Sequence, residues 1–337
     1  MTIFPDFLEN KTMFDEKDFF DGNKFKFYEF ALFLYEEVEQ LIYEMIGYGL
    51  YRDNFLQVAF FYYSPGGNGK TTLLKLLHHF YNPENTTALS FNDLNDKFKP
   101  ANLQGKLVNI ADDIDPNRIK DTGNFKIIVT GNYITLEFKG QDAFEFKPYV
   151  KLIFASNELP MSNDKSEGFY RRMVIIPMLR KFGKGGQKKD PMLLNKLITP
   201  HNMSALLNLA LKGLKRTLEN NEIIEPKIAR QTKEEYQFEN NPVLQFIEDA
   251  TDKDYRQLPV VEGRNTDKAY EIYQIWCVNN GYHHLNKFNF SKELAKIGYK
   301  TVSYYSRVEE KSKRFYKKEN TINIYDVDGS ILKKLTE

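Results

Sequence analysis

The sequence predicts an α/β fold built around a mostly parallel sheet, and three observations lead to this prediction. Four short apolar runs, QVAFFYY, KLVNIAD, VKLIFAS and RRMVIIPM, have the length of strands. The first three runs lead directly into small, polar or acidic residues. Loops and helical segments separate the runs, as expected for strands of a sheet that is covered on both faces.

The composition indicates a globular protein with more than one domain. The chain has 337 residues, of which 42% are hydrophobic and 15% aromatic, which excludes a disordered chain. Its 47 basic residues offset 46 acidic residues, so the net charge does not indicate an acidic partner. Cys277 is the only cysteine, which excludes an intrachain disulfide and a multi-cysteine zinc site.

The sequence predicts a location in the cytoplasm of a bacterial or host cell, because it shows neither a signal peptide nor a membrane span. The first twenty residues lack the basic-then-apolar order of a signal peptide. No apolar run approaches the roughly 18 residues that a membrane-spanning helix needs. We therefore expect a soluble, cytoplasmic protein.

Changes in composition divide the chain into four parts. Apolar residues at three- and four-residue spacing predict a helical lead-in before the strands. A polar, charged stretch near residue 230 predicts a linker, and the remainder predicts a small α+β domain. The expected parts are an N-terminal helical segment (1–53), an α/β domain (54–219), a linker (220–242) and a C-terminal domain (243–337).

The most informative stretch is a glycine turn between the first strand and an amphipathic helix. The order QVAFFYY, SPGGNGKT, TLLKLLHHFY is the strand–turn–helix context of a phosphate-binding loop, although Ser64 replaces the first glycine of the usual motif. Glycines let backbone N–H groups turn inward, and a helix N-terminus favours anions. An ordinary glycine turn is the alternative. The residues expected to bind ATP are Ser64, Pro65, Gly66, Gly67, Asn68, Gly69, Lys70, Thr71 and Thr72.

Polar residues in and after these elements complete a candidate catalytic set. Lys70 is expected to reach the β- and γ-phosphates and Thr71 to ligate Mg²⁺. Asp112 and Asp113 end the second strand; the first is expected to hold Mg²⁺ and the second to polarise the attacking water. An acidic turn after a buried strand is the alternative for this pair. Asn157 ends the third strand and is a candidate for orienting that water, or simply a turn former.

Arg171 and Arg172 precede the fourth strand. They are either a solvated surface pair or candidates for an arginine finger that acts across a subunit boundary. With these residues the order and spacing of SPGGNGKTT, LVNIADD, KLIFASNELP and GFYRRMVIIPM resemble the four ATPase motifs of superfamily 3 helicases. The similarity covers residues 25–179 and is strongest to the phage, plasmid and poxvirus primase–helicases. The resemblance implies an AAA+-like P-loop ATPase, a hexamer, and a role in replication of a phage, plasmid or mobile element.

In that family the region between the second and third motifs builds a hairpin that projects into the channel of a ring. Here TLEFKGQDAFEFK predicts two short strands around Lys139, with Lys126 and Lys147 as further basic residues expected to contact DNA. Phe138 and Phe144 are expected either to pack in the sheet or to stack on bases. The sequence departs from more basic relatives at this point.

The C-terminal part predicts helix, loop, helix and hairpin, which resembles a winged helix. Its second helix is expected to start near Ser291. Residues 287–318 hold ten basic residues against three acidic ones, which favours phosphate binding; a solvated or protein-docking surface is the alternative. The residues expected to bind DNA here are Lys292, Lys296, Arg307 and Lys313.

The combined prediction is an ATP-dependent replicative DNA helicase that forms a ring and moves along single-stranded DNA. Its expected cofactors are ATP and Mg²⁺, and its expected partners are forked DNA, further copies of itself and a primase or polymerase. A DNA-binding replication initiator or loader regulated by ATP, without strand-separating activity, is the second hypothesis. A small-molecule kinase would not need the hairpin, the arginine pair or the basic tail.

Overall fold

The structure is a computed structural model of the chain. It describes residues 36–64, 66–112, 119–179, 181–182, 190–252, 261–306 and 311–318. The chain divides into two compact units, Met1–Tyr236 (unit 1) and Gln237–Glu337 (unit 2). Each unit has its own hydrophobic core and is described separately below.

Unit 1 contains the predicted parallel sheet. Its described strands are β1 (Ala59–Tyr63), β2 (Thr86–Thr87), β3 (Val108–Ala111), β4 (Ile134–Leu136), β5 (Phe144–Phe146), β6 (Lys151–Ser156) and β7 (Met173–Pro177). Five of these strands form one sheet in the order β2-β3-β6-β1-β7, and all of the pairs are parallel. The other two, β4 and β5, form a separate antiparallel hairpin.

Helices surround this sheet, and none among the described residues is long and apolar enough to cross a bilayer. Residues 193–220 form two helices rather than one, because Thr199 caps the second helix and Pro200 occupies its first turn. The helices of unit 1 are α1 (Glu36–Leu50), α2 (Lys70–Tyr81), α3 (Gly123–Thr130), α4 (Glu167–Tyr170), α5 (Leu193–Leu197), α6 (Pro200–Asn220) and α7 (Lys227–Glu239). Short 3₁₀ turns are formed by Pro83–Asn85, Asn92–Asn95 and Lys99–Leu103.

Both faces of the sheet are buried, as the apolar strands predicted. Alternate residues of β1 point to opposite faces. Phe60 and Tyr62 belong to the core that includes α1 and α2, whereas Ala59 and Phe61 belong to the core that includes α3. Strand β1 is therefore held by side chains on both of its faces and by hydrogen bonds to a neighbouring strand along each edge.

The stretch expected to be a linker contains helix α7. Ala229 and Tyr236 are buried although most of the surrounding residues are charged, and the Tyr236 hydroxyl donates to the carbonyl of Pro160 at 2.7 Å. These two residues are seven apart, two helical turns, so they lie on one face. Residues 220–242 are thus largely helical, and the division between the units falls inside them.

Unit 2 consists of three helices and a hairpin. They are α8 (Pro242–Asp252), α9 (Thr266–Asn279), α10 (Lys287–Lys296), β8 (Tyr299–Ser306) and β9 (Lys311–Lys318). Asn265 caps α9 by accepting from the N–H of Asp267 at 2.9 Å. Asn286 caps α10, so this helix begins one turn before the position expected from Ser291.

Helices α1 and α6 pack against each other through glycines. A methyl group on Gly213 would lie 2.5 Å from backbone atoms of Tyr43, and one on Gly47 would lie 2.0 Å from the carbonyl oxygen of Ala210. Beside this contact, Nε of Arg216 lies 3.1 Å from the buried carboxylate of Glu44. The two helices therefore approach more closely than any side chain at these positions would allow.

A lysine is buried next to the sheet. Lys151, in β6, donates to the backbone carbonyl of Tyr51 and, at 2.8 Å, to that of Tyr149, and its ammonium group lies 4.5 Å from the centre of the Tyr48 ring. Burial lowers the pKa of Lys151 to about 7, while Asp53 acts in the opposite direction. Either protonation state has enough N–H groups for both carbonyls.

Because helices α1 and α6 are in close contact, we expect Gly213→Ala to destabilise the protein, although helix propensity alone predicts that it would stabilise it. Alanine in a helix interior is favoured over glycine by about 1 kcal/mol, but overpacking against a backbone costs about 1–3 kcal/mol. We expect Gly213→Ala to lower the free energy of unfolding, as measured by urea denaturation. Ser204→Ala, at an exposed position of α6, is the control and should change it by less than about 0.5 kcal/mol. A stabilised Gly213→Ala variant would contradict the close contact.

The buried lysine predicts a pH-dependent stability. The pKa of Lys151 is lower in the folded chain than its ordinary value of 10.5, so the unfolded chain binds more protons between pH 7 and pH 10 and stability should rise with pH there. Urea midpoints between pH 7 and pH 9.5 should therefore rise more steeply for the wild type than for Lys151→Met. Lys139→Met, at an exposed position, should keep the wild-type slope. Equal slopes for the wild type and Lys151→Met would refute this account.

Candidate functional site

The carboxyl ends of four parallel strands meet at one edge of the sheet, where open α/β sheets bind ligands. Tyr63, the last residue of β1, is level with Ser156 of β6 and with Pro177 of β7. The next residue of each chain segment leaves the sheet at this level. Asp112 follows β3, which pairs with the far side of β6.

The predicted glycine turn joins β1 to α2 at this edge. Gly66, Gly67 and Gly69 have φ angles of 97°, 70° and 80°, which residues other than glycine rarely adopt. Helix α2 starts at Lys70 without a side-chain cap and without an acidic residue in its first turn. Its first N–H groups and the positive end of its dipole therefore face the turn, as an anion site requires. Pro65 lies outside the described residues.

Hydrogen bonds attach the turn to the two neighbouring strands. The N–H of Ser64 donates to the carbonyl of Ser156 at 3.1 Å, and the N–H of Phe182 donates to the carbonyl of Gly67 at 2.9 Å. The amide of Asn68 donates to the carbonyl of Met178 at 2.6 Å. The Asn68 Oδ1 atom is buried and has no hydrogen-bond partner among the described residues. Asn68, which was expected to touch ATP, thus anchors the turn to the end of β7.

The polar side chains of this edge converge. The ammonium group of Lys70 donates to Oδ1 of Asn157 at 3.0 Å and lies 3.8 Å from Oδ1 of Asp112. The hydroxyl of Thr71 donates to Oδ2 of Asp112 at 3.3 Å. Lys70 is only 7% exposed, whereas the side chain of Asp112 is 37% exposed. Four residues from three separate segments of the chain therefore form one cluster, and its outer side faces solvent. The hydrogen bonds that hold it join residues 41 and 87 positions apart in the sequence.

The oxygen atoms of this cluster suit a hard cation. The Thr71 hydroxyl and the Asp112 carboxylate are the kind of ligands that Mg²⁺ takes. Within the described ranges no group of three or more His, Cys, Asp or Glu residues could hold a metal by itself. This donor set fits Mg²⁺, which is commonly held by one or two protein ligands together with water and substrate phosphates. Of the other two expected residues, Asp113 lies outside the described residues, and Thr72 is half-buried in α2.

The two arginines occupy different environments. The Arg172 guanidinium donates from Nη2 to the hydroxyl of Thr130 at 3.0 Å, from Nε to the same oxygen at 3.3 Å, and from Nη1 to the carbonyl of Gly168. Partial burial, and then the charge of Arg171, lower the pKa of Arg172. Arg171 is exposed. The sequence did not distinguish these two neighbours. In the structure, Arg172 is hydrogen-bonded within its own chain, whereas the side chain of Arg171 faces solvent.

The three predicted lysines of the hairpin region also differ. Lys126 donates a hydrogen bond to the carboxylate of Asp164. Burial raises the pKa of Asp164, but hydrogen bonds from Lys126, Ser166 and Thr122 outweigh burial and lower this pKa to about 2. An ammonium group engaged in this way is a weak phosphate ligand. Lys139 is exposed at the turn between β4 and β5, and Lys147 is exposed just after β5.

The aromatic residues of the hairpin pack against the protein. Phe138 and Phe144 stack on each other with ring centres 5.5 Å apart, and both contact the core on that side of the sheet. Phe146 contacts the same core. Of the two roles expected for Phe138 and Phe144, the structure shows packing.

In unit 2 the predicted DNA-contacting residues are dispersed. Lys292 is exposed on α10, whereas the ammonium group of Lys296 lies 2.7 Å from the carboxylate of Glu293. Lys313 is half-buried on β9, and Arg307 lies outside the described residues. A groove between α10 and the hairpin was not foreseen. It is lined by Lys287, Phe288, Ser291, Thr301, Ser303 and Arg314.

Two sequence families match the chain in separate regions. Residues 62–172 match a family of unknown function (DUF5906), and residues 238–328 match the Poxvirus D5 protein-like family. The first match contains the glycine turn, Asp112, Asn157 and the arginine pair. The second lies in unit 2, beyond residues 25–179, to which the expected resemblance to helicases was confined.

Two viral relatives share part of the chain. It is 30% identical over 134 residues to "Putative helicase L207/L206" of Acanthamoeba polyphaga mimivirus, and 27% identical over 137 residues to "Putative helicase 121R" of Invertebrate iridescent virus 3. The matches cover 38% and 37% of this chain but only 14% and 15% of those proteins. The chain therefore spans about one seventh of the length of the curated relatives it matches.

Solved structures share the fold. The A form apo structure of the NrS-1 C terminal region superposes with a TM-score of 0.52 at 15% identity, over 86% of this chain and 74% of that one. Another apo structure of the same region, residues 305–718, gives 0.51 at the same identity and coverage. The family and viral matches confirm the expected resemblance to poxvirus primase–helicases. The structural matches confirm the α/β fold with a central parallel sheet.

The different environments of the arginines predict different effects on stability. Arg172→Ala removes three hydrogen bonds from a charged donor, so we expect a loss of about 2 kcal/mol in the free energy of unfolding. Arg171→Ala, at the exposed neighbouring position, is the matched control and should change it by less than about 0.5 kcal/mol. Urea denaturation of both variants measures this. A loss of less than about 0.5 kcal/mol for Arg172→Ala would show that the guanidinium of Arg172 has no structural role.

Proposed function

We propose that this chain contains the ATPase and a DNA-binding part of an ATP-driven DNA helicase. The observation that carries the proposal is the cluster of Lys70, Thr71, Asp112 and Asn157 around an uncapped helix N-terminus. This arrangement offers a cation, a metal-ligating pair and a polar amide beside a backbone turn that can bind phosphate. The names of the viral relatives, both helicases, support the same activity.

The glycine turn is proposed to hold the phosphates of ATP. The backbone N–H groups between Gly66 and Thr71 would donate to phosphate oxygens, and the dipole of α2 would stabilise their charge. Lys70 would exchange its contacts with Asn157 and Asp112 for the β- and γ-phosphates. Because Lys70 is nearly buried, its charge is poorly screened and acts strongly on a nearby phosphate.

Hydrolysis requires a positioned water and stabilisation of charge. The Asn157 amide, released from Lys70 when phosphate binds, is proposed to orient the attacking water, with Asp113 as the residue that polarises it. Thr71 and Asp112 would hold Mg²⁺, which neutralises charge on the phosphates. These roles place all of the chemistry at the carboxyl edge of the sheet.

Arg171 is our proposed arginine finger. Its side chain is exposed, whereas Arg172 is bound to Thr130 and Gly168 of its own chain. An arginine finger must reach the phosphates of a neighbouring subunit, so its guanidinium has to be available. We therefore propose a ring, by family resemblance a hexamer, with nucleotide bound between subunits. Arg172 would fix the loop that presents Arg171.

Lys139 is the best-placed hairpin residue for DNA. It lies at the exposed turn between β4 and β5. Lys147 is exposed just after β5, and Lys126 is bound to the carboxylate of Asp164. The proposed motor would move this hairpin along single-stranded DNA. In unit 2 the helix–helix–hairpin order resembles a winged helix, and we propose Lys292, Arg307 and Lys313 as further DNA contacts.

The second candidate is an ATP-regulated initiator or loader that binds DNA without separating its strands. The basic segment of unit 2 favours it, because residues 287–318 carry ten basic residues against three acidic ones. Such a protein needs only nucleotide-dependent assembly. It would hydrolyse ATP, but it would not displace a strand.

ATP turnover and strand displacement on forked DNA, measured in parallel, test the proposal. Lys70→Ala should lower turnover on the order of 100-fold or more and abolish displacement, because it removes the cation beside the phosphates. Lys75→Ala, at an exposed position on the same helix, is the matched control and should retain both. Turnover without displacement in the wild type would favour the initiator or loader instead.

Mixing two inactive variants tests whether subunits share the site. Lys70→Ala chains supply an intact Arg171, and Arg171→Ala chains supply an intact Lys70. Equal mixing in a cyclic assembly should restore about a quarter of the wild-type sites. If the mixture stays inactive while both variants still assemble, Arg171 does not act in trans.

A further inference from the structure

Unit 2 carries a groove that the sequence did not indicate. It has a volume of about 580 Å³ and lies between α10 and the β8–β9 hairpin; we call it the hairpin groove. Its lining combines an aromatic ring, three hydroxyl groups and two basic side chains, and it includes no acidic side chain. The lining residues are Lys287, Phe288, Ser291, Thr301, Ser303 and Arg314.

Two aromatic rings are exposed here, one in the lining of the groove and one farther along the hairpin. Phe288 is 77% exposed, the highest value among the large hydrophobic side chains that the structure describes. It lies in the first turn of α10, whose start is fixed by the Asn286 cap. Tyr305, which is 65% exposed, lies two residues beyond Ser303 on β8 and therefore on the same face of the hairpin. Neither ring is used by the core of unit 2.

Positive charge flanks the exposed rings. Arg314 is exposed and lies opposite Ser303 in the hairpin. Lys292 is four residues after Phe288, so both project from one face of α10. Lys287 is ion-paired with Asp267 and contributes less. The carboxylate of Glu293 is turned inward, where it accepts from the amide of Asn241 at 2.9 Å.

We propose that the hairpin groove binds single-stranded DNA, with a base stacked on Phe288 and phosphates held by Arg314 and Lys292. Stacking on an exposed ring requires a base with a free face, which a single strand has and an intact duplex does not. The hydroxyls of Ser291, Thr301 and Ser303 would hydrogen-bond to the backbone or to base edges. The choice of DNA rests on the proposed function, because a helicase produces this strand, but the groove itself needs no ATP.

The test is fluorescence anisotropy of labelled oligo(dT) with the whole chain, in the absence of nucleotide. Phe288→Ala should weaken binding about tenfold, since one base–aromatic stack is worth roughly a factor of ten. Phe288→Tyr keeps the ring and should bind within about twofold of the wild type. Val278→Ala, which removes an equally exposed apolar group on α9, is the control and should bind like the wild type. Thermal unfolding checks that each variant is folded.

Photo-cross-linking with bromodeoxyuridine-substituted oligonucleotide locates the contact. Cross-links at Phe288 or Tyr305, found by mass spectrometry, would support the groove. Cross-links confined to unit 1, an unchanged affinity of Phe288→Ala, or stronger binding of blunt duplex than of oligo(dT) would each overturn it. Binding is measured without nucleotide, so the two proposals can fail separately. If the chain binds oligo(dT) through Phe288 but does not displace a strand, only the proposed helicase activity is contradicted.

Discussion

Strand β1 lies between β6 and β7, and its parallel hydrogen bonds to both strands fix where three chain segments leave the sheet. Ser64, Asn157 and Met178 follow the ends of these strands at one level. The glycine turn can then bind to a strand end on either side, through Ser64 and Asn68. Because apolar side chains cover both faces of β1, the strand end from which the turn leaves is held in place. The position of the turn beside the end of β6 then brings Lys70 within hydrogen-bond distance of Asn157.

The basic residues divide into two groups that serve different purposes. Some are bound within the chain and stabilise it: Lys126 with Asp164, Arg172 with Thr130 and Gly168, and Lys151 with backbone carbonyls. Others, such as Arg171 and Lys139, are exposed and are available to a partner. The division explains how a chain with almost no net charge can present positive charge locally. It also gives the neighbours Arg171 and Arg172 distinct proposed functions.

Local signals made part of this structure predictable. The apolar strands, the glycine turn and the helix after it each depend on neighbouring residues, and the sheet and the turn were found as expected. The remainder depends on contacts between distant residues. Arg172 meets Thr130 across 42 positions and Lys126 meets Asp164 across 38, so no pattern in either segment could assign them. Helix α7 was missed because only Ala229 and Tyr236 mark its buried face among charged residues.

Strand β7 has a consequence for an assembled ring. The arginine pair lies directly before its first residue, and Met178, directly after its last, accepts from Asn68 of the glycine turn. Five residues of an extended strand span roughly 16 Å. This short strand therefore joins the glycine turn to Arg171, the proposed arginine finger. In the proposed ring, β7 of each subunit would connect its own nucleotide site to the site that it completes in the neighbouring subunit, so that all of the sites would be linked through these strands.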